Sequence, residues 1–254
     1  MLKVLSVDWD YFLPELGWYD WSHTEESGMF YEFVWNTRCA SRNLKTGQRA
    51  LENVIPNPDL LNGFWDRVLA SNATPIICVS ESHKDLYHFI GTICNMKIWN
   101  FDQHHDLGYE QMKTIACDNW AGKLIKSGIC TQYNLIYPSW RKQDNDEAKP
   151  MVKENVNIRY SHSKPIKADV VFVCRSSCWS PTWNDNAWTT FIHGLRDRCR
   201  FGWDMAVEQG WIHKYVMKER HPNMKEAAQL ADQYEALYTQ IQQKNEAILK
   251  ENSK

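Results

Sequence analysis

No apolar run in this 254-residue chain approaches the about 18 residues that read as a membrane span. Neither sign of charge dominates: 29 Lys and Arg against 31 Asp and Glu leave a net charge of −2. That balance gives no electrostatic argument for nucleic acid or an anionic membrane as a partner. The eight cysteines, at 39, 78, 94, 117, 130, 174, 178 and 199, lack C-x-x-C spacing, so a zinc ribbon is not expected. Cys78 and Cys174 lie inside apolar runs and read as buried free thiols. No basic region and apolar segment open the chain, and the expectation is a protein of the reducing cytoplasm. Internal repeats and low-complexity tracts are also missing. What is present is an ordinary globular composition, 43% hydrophobic and 24% charged, enough for one sizeable α/β domain or two small ones. Thirteen tryptophans stand out. Core and helix packing accounts for most of them, and a few are candidates to line a peptide groove.

The most informative stretch is Asp102-Gln103-His104-His105-Asp106, which follows the apolar Ile98-Trp99 and Phe101. A chain leaving a strand in extended form points alternate side chains the same way, so Asp102, His104 and Asp106 form an incomplete metal site. Carboxylate and imidazole together suit Mn, Fe or Zn and argue against a thiolate site. The competing reading is a polar loop with helix-capping aspartates. Two further runs change the balance. Val4-Leu5-Ser6-Val7-Asp8-Trp9-Asp10-Tyr11-Phe12 puts Asp8 and Asp10 on one parity of a strand too apolar to hold unpaired carboxylates. Thr74–Ser82 is a buried strand with His83 just past its end. Ligands of open α/β sheets bind beyond the carboxyl ends of the strands. Three strand ends thus supply four carboxylates and two imidazoles, an inventory that balances two divalent ions.

These motifs resemble the metal ligands of the ureohydrolase superfamily of arginases, agmatinases and deacetylases. There the order is His, D-x-H-x-D, then a Ser-x-Asp-x-Asp strand. Here Ser6-Val7-Asp8-Trp9-Asp10 comes first, so the resemblance requires a circularly permuted order. Glu81-Ser82-His83, Cys117-Asp118-Asn119-Trp120 and Cys174-Arg175-Ser176-Ser177-Cys178-Trp179-Ser180-Pro181 look like the branch of peptide arginases from ribosomal-peptide natural product pathways. The resemblance covers roughly residues 1–195. It implies two Mn(2+) per chain, with Asp8 and Asp102 bridging, His83 and Asp106 completing one ion, and His104 and Asp10 the other. Two ions roughly 3.5–4 Å apart can share a water and lower its pKa. The implied reaction is attack of the hydroxide, held at Asp8 and Asp102, on the guanidinium carbon of an arginine residue, leaving ornithine and urea. The implied partner is an arginine-containing precursor peptide.

A cationic substrate needs carboxylates for planar, bidentate pairing. Glu81, Asp118 and Asp185 are candidates, with Asn119, Trp120, Arg175 and Ser176 as further pocket residues; each has a structural reading too, an internal salt bridge in the case of Arg175. The departing amine needs an acid. His105, of opposite parity to the ligands, and His162 are the candidates, with packing the alternative role for His105; His193 has no place from sequence. The pattern of elements predicts strands at 1–12, 74–79, 96–101, near 132–137 and 156–160, and at 169–174. Helices are predicted at 59–71, 84–92, 109–127 and 184–199. Alternation of strands and helices implies a three-layer, mostly parallel, arginase-like α/β sheet with the metal site at its carboxyl edge. Residues 1–221 form that domain, and 222–254 a helix packed on it by Leu230, Tyr234, Leu237, Tyr238, Ile241 and Ile248. Residues 13–58 read as an aromatic-rich excursion over the site, and 141–149 as an exposed loop. The alternatives are a small-molecule ureohydrolase or deacetylase, a haloacid-dehalogenase-like phosphatase read from Asp8-Trp9-Asp10, and a non-enzymatic peptide-binding protein.

Overall fold

A computed structural model describes residues 1–14, 54–90, 95–109, 113–143 and 149–214, with Trp35, Arg38 and six positions between 232 and 243. Six strands form one sheet: β1 (Leu2–Asp8), β2 (Ile76–Ser80), β3 (Met96–Phe101), β4 (Cys130–Ile136), β5 (Val156–Arg159) and β6 (Val170–Cys174). Their order is β2-β6-β1-β3-β4-β5 and every pairing is parallel. Parallel strands need long crossovers, and those put helices on the faces of the sheet. This is why β6, with the sequence Val-Val-Phe-Val-Cys, is buried throughout, while the outer strand β5 shows Asn157, Ile158 and Arg159 to solvent.

β1 is central, in register with β6 from Val4↔Val170 to Asp8↔Cys174 and with β3 from Leu2↔Met96 to Val7↔Phe101. Its alternate side chains enter two separate cores. Leu5 and Val7 join Phe64, Trp65, Trp188, Phe191 and Ile192. Val4 joins Leu86, Ile90, Trp120 and Leu124 on the other face. Helices α1 (Pro58–Leu61), α2 (Phe64–Val68), α3 (Lys84–Ile90) and α4 (Trp120–Lys126) lie between strands, and α5 (Asp185–His193) and α6 (Trp203–Glu208) follow the last one. The α2, α5 and α6 side forms one layer, and the α3 and α4 side the other. The fold is therefore α/β with helices on both faces of an all-parallel sheet.

Several predicted elements are shorter in the structure. The helix expected over 59–71 breaks at Asn62-Gly63, where Gly63 takes φ +63°. The described part of 109–127 is irregular up to Asn119, so α4 begins only at Trp120. Most of 13–58 and of 222–254, with the apolar stripe from Leu230 to Ile248, lies outside the described residues. Trp35 and Arg38 are helical and buried, and the backbone is helical at Asp232, Gln233, Ala236, Thr239, Gln240 and Gln243, all exposed. Tryptophans account for much of the packing: Trp9, Trp35, Trp120 and Trp188 are each at most 1% exposed. Trp9 packs edge-on to Trp188 at 5.4 Å and against Phe12 and Phe191.

Candidate metal centre

β1 ends at Asp8, and Trp9–Phe12 folds into a 3₁₀ turn rather than continuing the strand. Asp8 caps that turn: its Oδ1 accepts from the Asp10 amide at 3.1 Å. The turn sends Trp9, Tyr11 and Phe12 into the aromatic core and leaves Asp10 beside Asp8. The cap and turn, rather than strand parity, bring the two carboxylates together. The segment after β3 is also bent rather than extended. Asp102 Oδ1 accepts from the His104 amide at 2.8 Å, and Asp106 sits at φ +55°, a conformation few non-glycine residues adopt. Gln103, which sequence reasoning passed over, clamps the two acidic segments together. Its Nε2 donates to the carbonyls of Asp10 at 2.6 Å and Leu13 at 2.7 Å.

His83 lies between β2 and α3, with its ring near parallel to Phe172 and tilted against Trp120 at 4.9 Å. Its Nε2 is 2.7 Å from Ser6 Oγ. That pairing leaves Nδ1 facing three carboxylates: Asp8 Oδ2 at 3.1 Å, Asp102 Oδ2 at 3.2 Å and Asp106 Oδ2 at 3.2 Å. One N–H cannot serve three acceptors. Across the cluster, His104 Nδ1 is 3.0 Å from Asp10 Oδ2 and 3.7 Å from Asp102 Oδ1. Asp10 Oδ2 is buried and accepts no hydrogen bond, although His104 is so close. Proximity without hydrogen-bond alignment is what two ligands of one cation show. Ligands about 2.1 Å from an ion and at right angles to it are about 3.0 Å apart, which matches these spacings.

The electrostatics point the same way. Burial pushes the Asp10 carboxyl up to about 7, and the charges of Asp8 and Asp102 add to the shift. Asp102 is likewise pushed to about 7 by burial and by Asp106 and Asp8. Burial raises Asp106 as well. Burial works against Asp8 too, but hydrogen bonds from His83, Ser176 and the Asp10 amide hold it below the usual value. The His83 imidazole is disfavoured as a cation by burial, yet Asp102, Asp106 and Asp8 raise it well above 6.5. Four buried carboxylates against two imidazoles is an excess of negative charge that a divalent cation would relieve. Asp10, Asp102 and His104, and His83, Asp102 and Asp106, are two groups whose ligand atoms could hold a metal ion.

The supporting residues are legible one by one. Trp120 Nε1 donates to Asp106 Oδ2 at 2.5 Å. Asn100 Nδ2 donates to Asp102 Oδ2 at 2.9 Å and also reaches Tyr133 Oη, which donates to the His105 carbonyl. Ser176, at φ +47°, donates to Asp8 Oδ2. Of the six candidate ligands, His104 alone is open to solvent, at 31% side-chain exposure against 6% or less for the acidic ligands and His83. Trp179 lies beside it at 5.1 Å.

Residues expected in a substrate pocket fare differently. Asn119 spends its amide on its own loop, accepting from the Ala116 N–H and donating to the Thr114 carbonyl. Trp120 braces His83 and Asp106 from beneath. Arg175 pairs with Asp185 and lies 3.7 Å from Glu81, so the internal salt bridge is what forms. Glu81 also accepts from Ser177 Oγ. Asp118 is half-buried, and its carbonyl accepts from the Gly108 N–H. His105 is buried, stacked on Tyr109 at 4.1 Å, with Nδ1 accepting from the Leu107 amide; it braces the loop. His162 lies against Phe101 with Nε2 on the Lys164 carbonyl, outside the cluster. His193 packs against Trp203.

Comparison with protein-family models, curated proteins and solved structures finds no match to this chain.

Proposed function

We propose that this chain is an arginase-like hydrolase holding two divalent ions, with manganese favoured, that converts arginine residues of a peptide to ornithine with release of urea. The observation that carries this reading is the way the cluster divides. His83 gathers Asp8, Asp102 and Asp106, His104 gathers Asp10 and Asp102, and Asp102 belongs to both sets. The pairing of His83 with Asp106 and of His104 with Asp10, with Asp102 shared, supports the ureohydrolase reading, in which Asp8 would be shared as well. A phosphatase built on Asp8 and Asp10 leaves His83, His104, Asp102 and Asp106 without a role.

When bound, a pair of divalent ions supplies Lewis acidity and a shared water of lowered pKa. The chain's own residues do the rest. Asp102 lies between the two imidazoles and Asp8 lies beside His83; in the ureohydrolase reading these are the residues that would hold the pair of ions together. Ser6, Phe172 and Trp120 fix the His83 ring so that Nδ1, not Nε2, faces the carboxylates. Gln103 and Ser176 lock Asp10 and Asp8 in place, which reduces the reorganisation left for the reaction itself. A planar guanidinium approaches from the His104 side, the open one, drawn by the buried acidic cluster. A side chain on an extended peptide can reach such a site while its backbone stays outside.

The test is to incubate manganese-loaded protein with an arginine-containing peptide, free arginine and agmatine, following urea and peptide mass. The reading predicts urea together with a loss of CN₂H₂ at an arginine. Urea from free arginine or agmatine alone would overturn the peptide assignment. No urea from any guanidino compound, with acetate released from acetylated amines, would move the activity to deacetylation.

A further inference from the structure

The carboxylate and imidazole motifs argue against a thiolate site, but the register of the sheet brings a sulfur to it. β6 lies between β2, which leads to His83, and β1, which ends at Asp8. The last residue of β6, Cys174, pairs with Asp8 on one side and Ser80 on the other, and paired residues of a parallel sheet share a face. Cys174 is fully buried. Its Sγ, an Asp8 oxygen and a His83 nitrogen all lie within 4.8 Å of one another. Sγ is also 3.1 Å from Ser176 Oγ, the hydroxyl that donates to Asp8 Oδ2, and 3.4 Å from the Glu81 carbonyl.

Three carboxylate oxygens converge on one His83 nitrogen, which indicates a cation on the side of the cluster where this thiol lies; Asp10 Oδ2, buried without a hydrogen bond, indicates one on the His104 side. We propose that Cys174 Sγ is a ligand of the ion on the His83 side, giving that position a mixed carboxylate, imidazole and thiolate set that takes thiophilic divalent ions such as cobalt, zinc or cadmium. The inference rests on the metal-centre reading above. On binding, the S–H bond breaks, its electron pair forms the sulfur–metal bond, and the proton leaves to solvent. Ser176 keeps its bond to Asp8. The His104 side, with Asp10 and Asp102, has no sulfur and remains an oxygen and nitrogen set suited to manganese. The two positions therefore differ in metal preference.

Cobalt(II) reads this directly, because thiolate coordination adds a near-ultraviolet charge-transfer band to the visible d–d bands. The full-length protein loaded with cobalt should show that band, and Cys174→Ser and Cys174→Ala should lose it while keeping d–d absorption, which also reports that the variants fold. In zinc-loaded wild type, X-ray absorption should show a sulfur neighbour at about 2.3 Å, a measurement that needs no variant. Cobalt bound without the band, or a band that survives both substitutions, would overturn the thiolate ligand and leave the metal centre standing. A protein that takes up neither cobalt, zinc nor manganese would overturn both.

Discussion

At the scale of single residues, Asp102 carries the most weight, because its two oxygens face the two imidazoles separately: Oδ2 is 3.2 Å from His83 and Oδ1 3.7 Å from His104. Asp102→Ala should abolish binding at both positions, whereas His83→Ala should leave the His104 side able to bind one ion. Calorimetric titration with manganese checks this, and an unchanged stoichiometry in Asp102→Ala would refute the shared role. The carboxylates also set a pH dependence. Asp10 and Asp102 rise from 3.8 to about 7 on folding, so the folded chain binds protons across that window that the unfolded chain has released. Stability without metal must then fall as pH climbs through it. His83, raised above 6.5, works in the same direction: its contribution is complete below 6.5 and is lost as pH rises through the folded value. Asp8, which is lowered, contributes above 3.8 and loses its effect only below this window. Metal-free protein should therefore show a falling Tm from about pH 4.5 to 8, and divalent ions should flatten the slope. A metal-free Tm that rises over this range would contradict the assignment.

Single elements show what the sequence could and could not reveal. Val170–Cys174 was legible as a short, β-branched apolar run, and Met96–Phe101 as a short run of mostly apolar residues; both appear almost as expected. Turns were less legible, since the 3₁₀ turn at Trp9–Phe12 depends on a cap by Asp8 that competes with strand parity. Helix lengths were overestimated wherever tertiary packing breaks a periodic stretch, as at Asn62-Gly63. All six candidate ligands were named from sequence, but the residues that hold them were mostly missed. Gln103 and Tyr133 act through long-range contacts that no local pattern encodes, Asn100 holds Asp102 from two residues away, and Cys174 reaches the site only through strand register. At the end of α5, Gly194 meets Trp65, which stacks on Phe191 at 4.6 Å and donates to the Phe191 carbonyl. A Cβ at Gly194 would lie 2.9 Å from Trp65 Cδ1, and that ring is held on two sides. Gly194→Ala should cost about 1–3 kcal/mol, with Tm falling by several degrees; an unchanged melting curve would show that the α2–α5 contact is looser than described.

For the molecule as a whole, strand order explains why residues from positions 8 to 106 meet. β1 is flanked by β6 and β3, the chain proceeds outward on one side through β3, β4 and β5, and β2 and β6 lie on the other. That reversal beside a central strand is where open α/β sheets bind ligands, beyond the carboxyl ends. The acidic cluster sits there, on the α3 and α4 face. No helix among the described residues is long and apolar enough to cross a membrane. The central claim, that six residues from three strand ends form one binuclear centre, is tested most directly by counting metal. Elemental analysis of full-length protein saturated with manganese and then desalted should find about two ions per wild-type chain and essentially none in Asp102→Ala. Wild-type protein that retains no divalent ion, with a Tm unmoved by adding one, would contradict it.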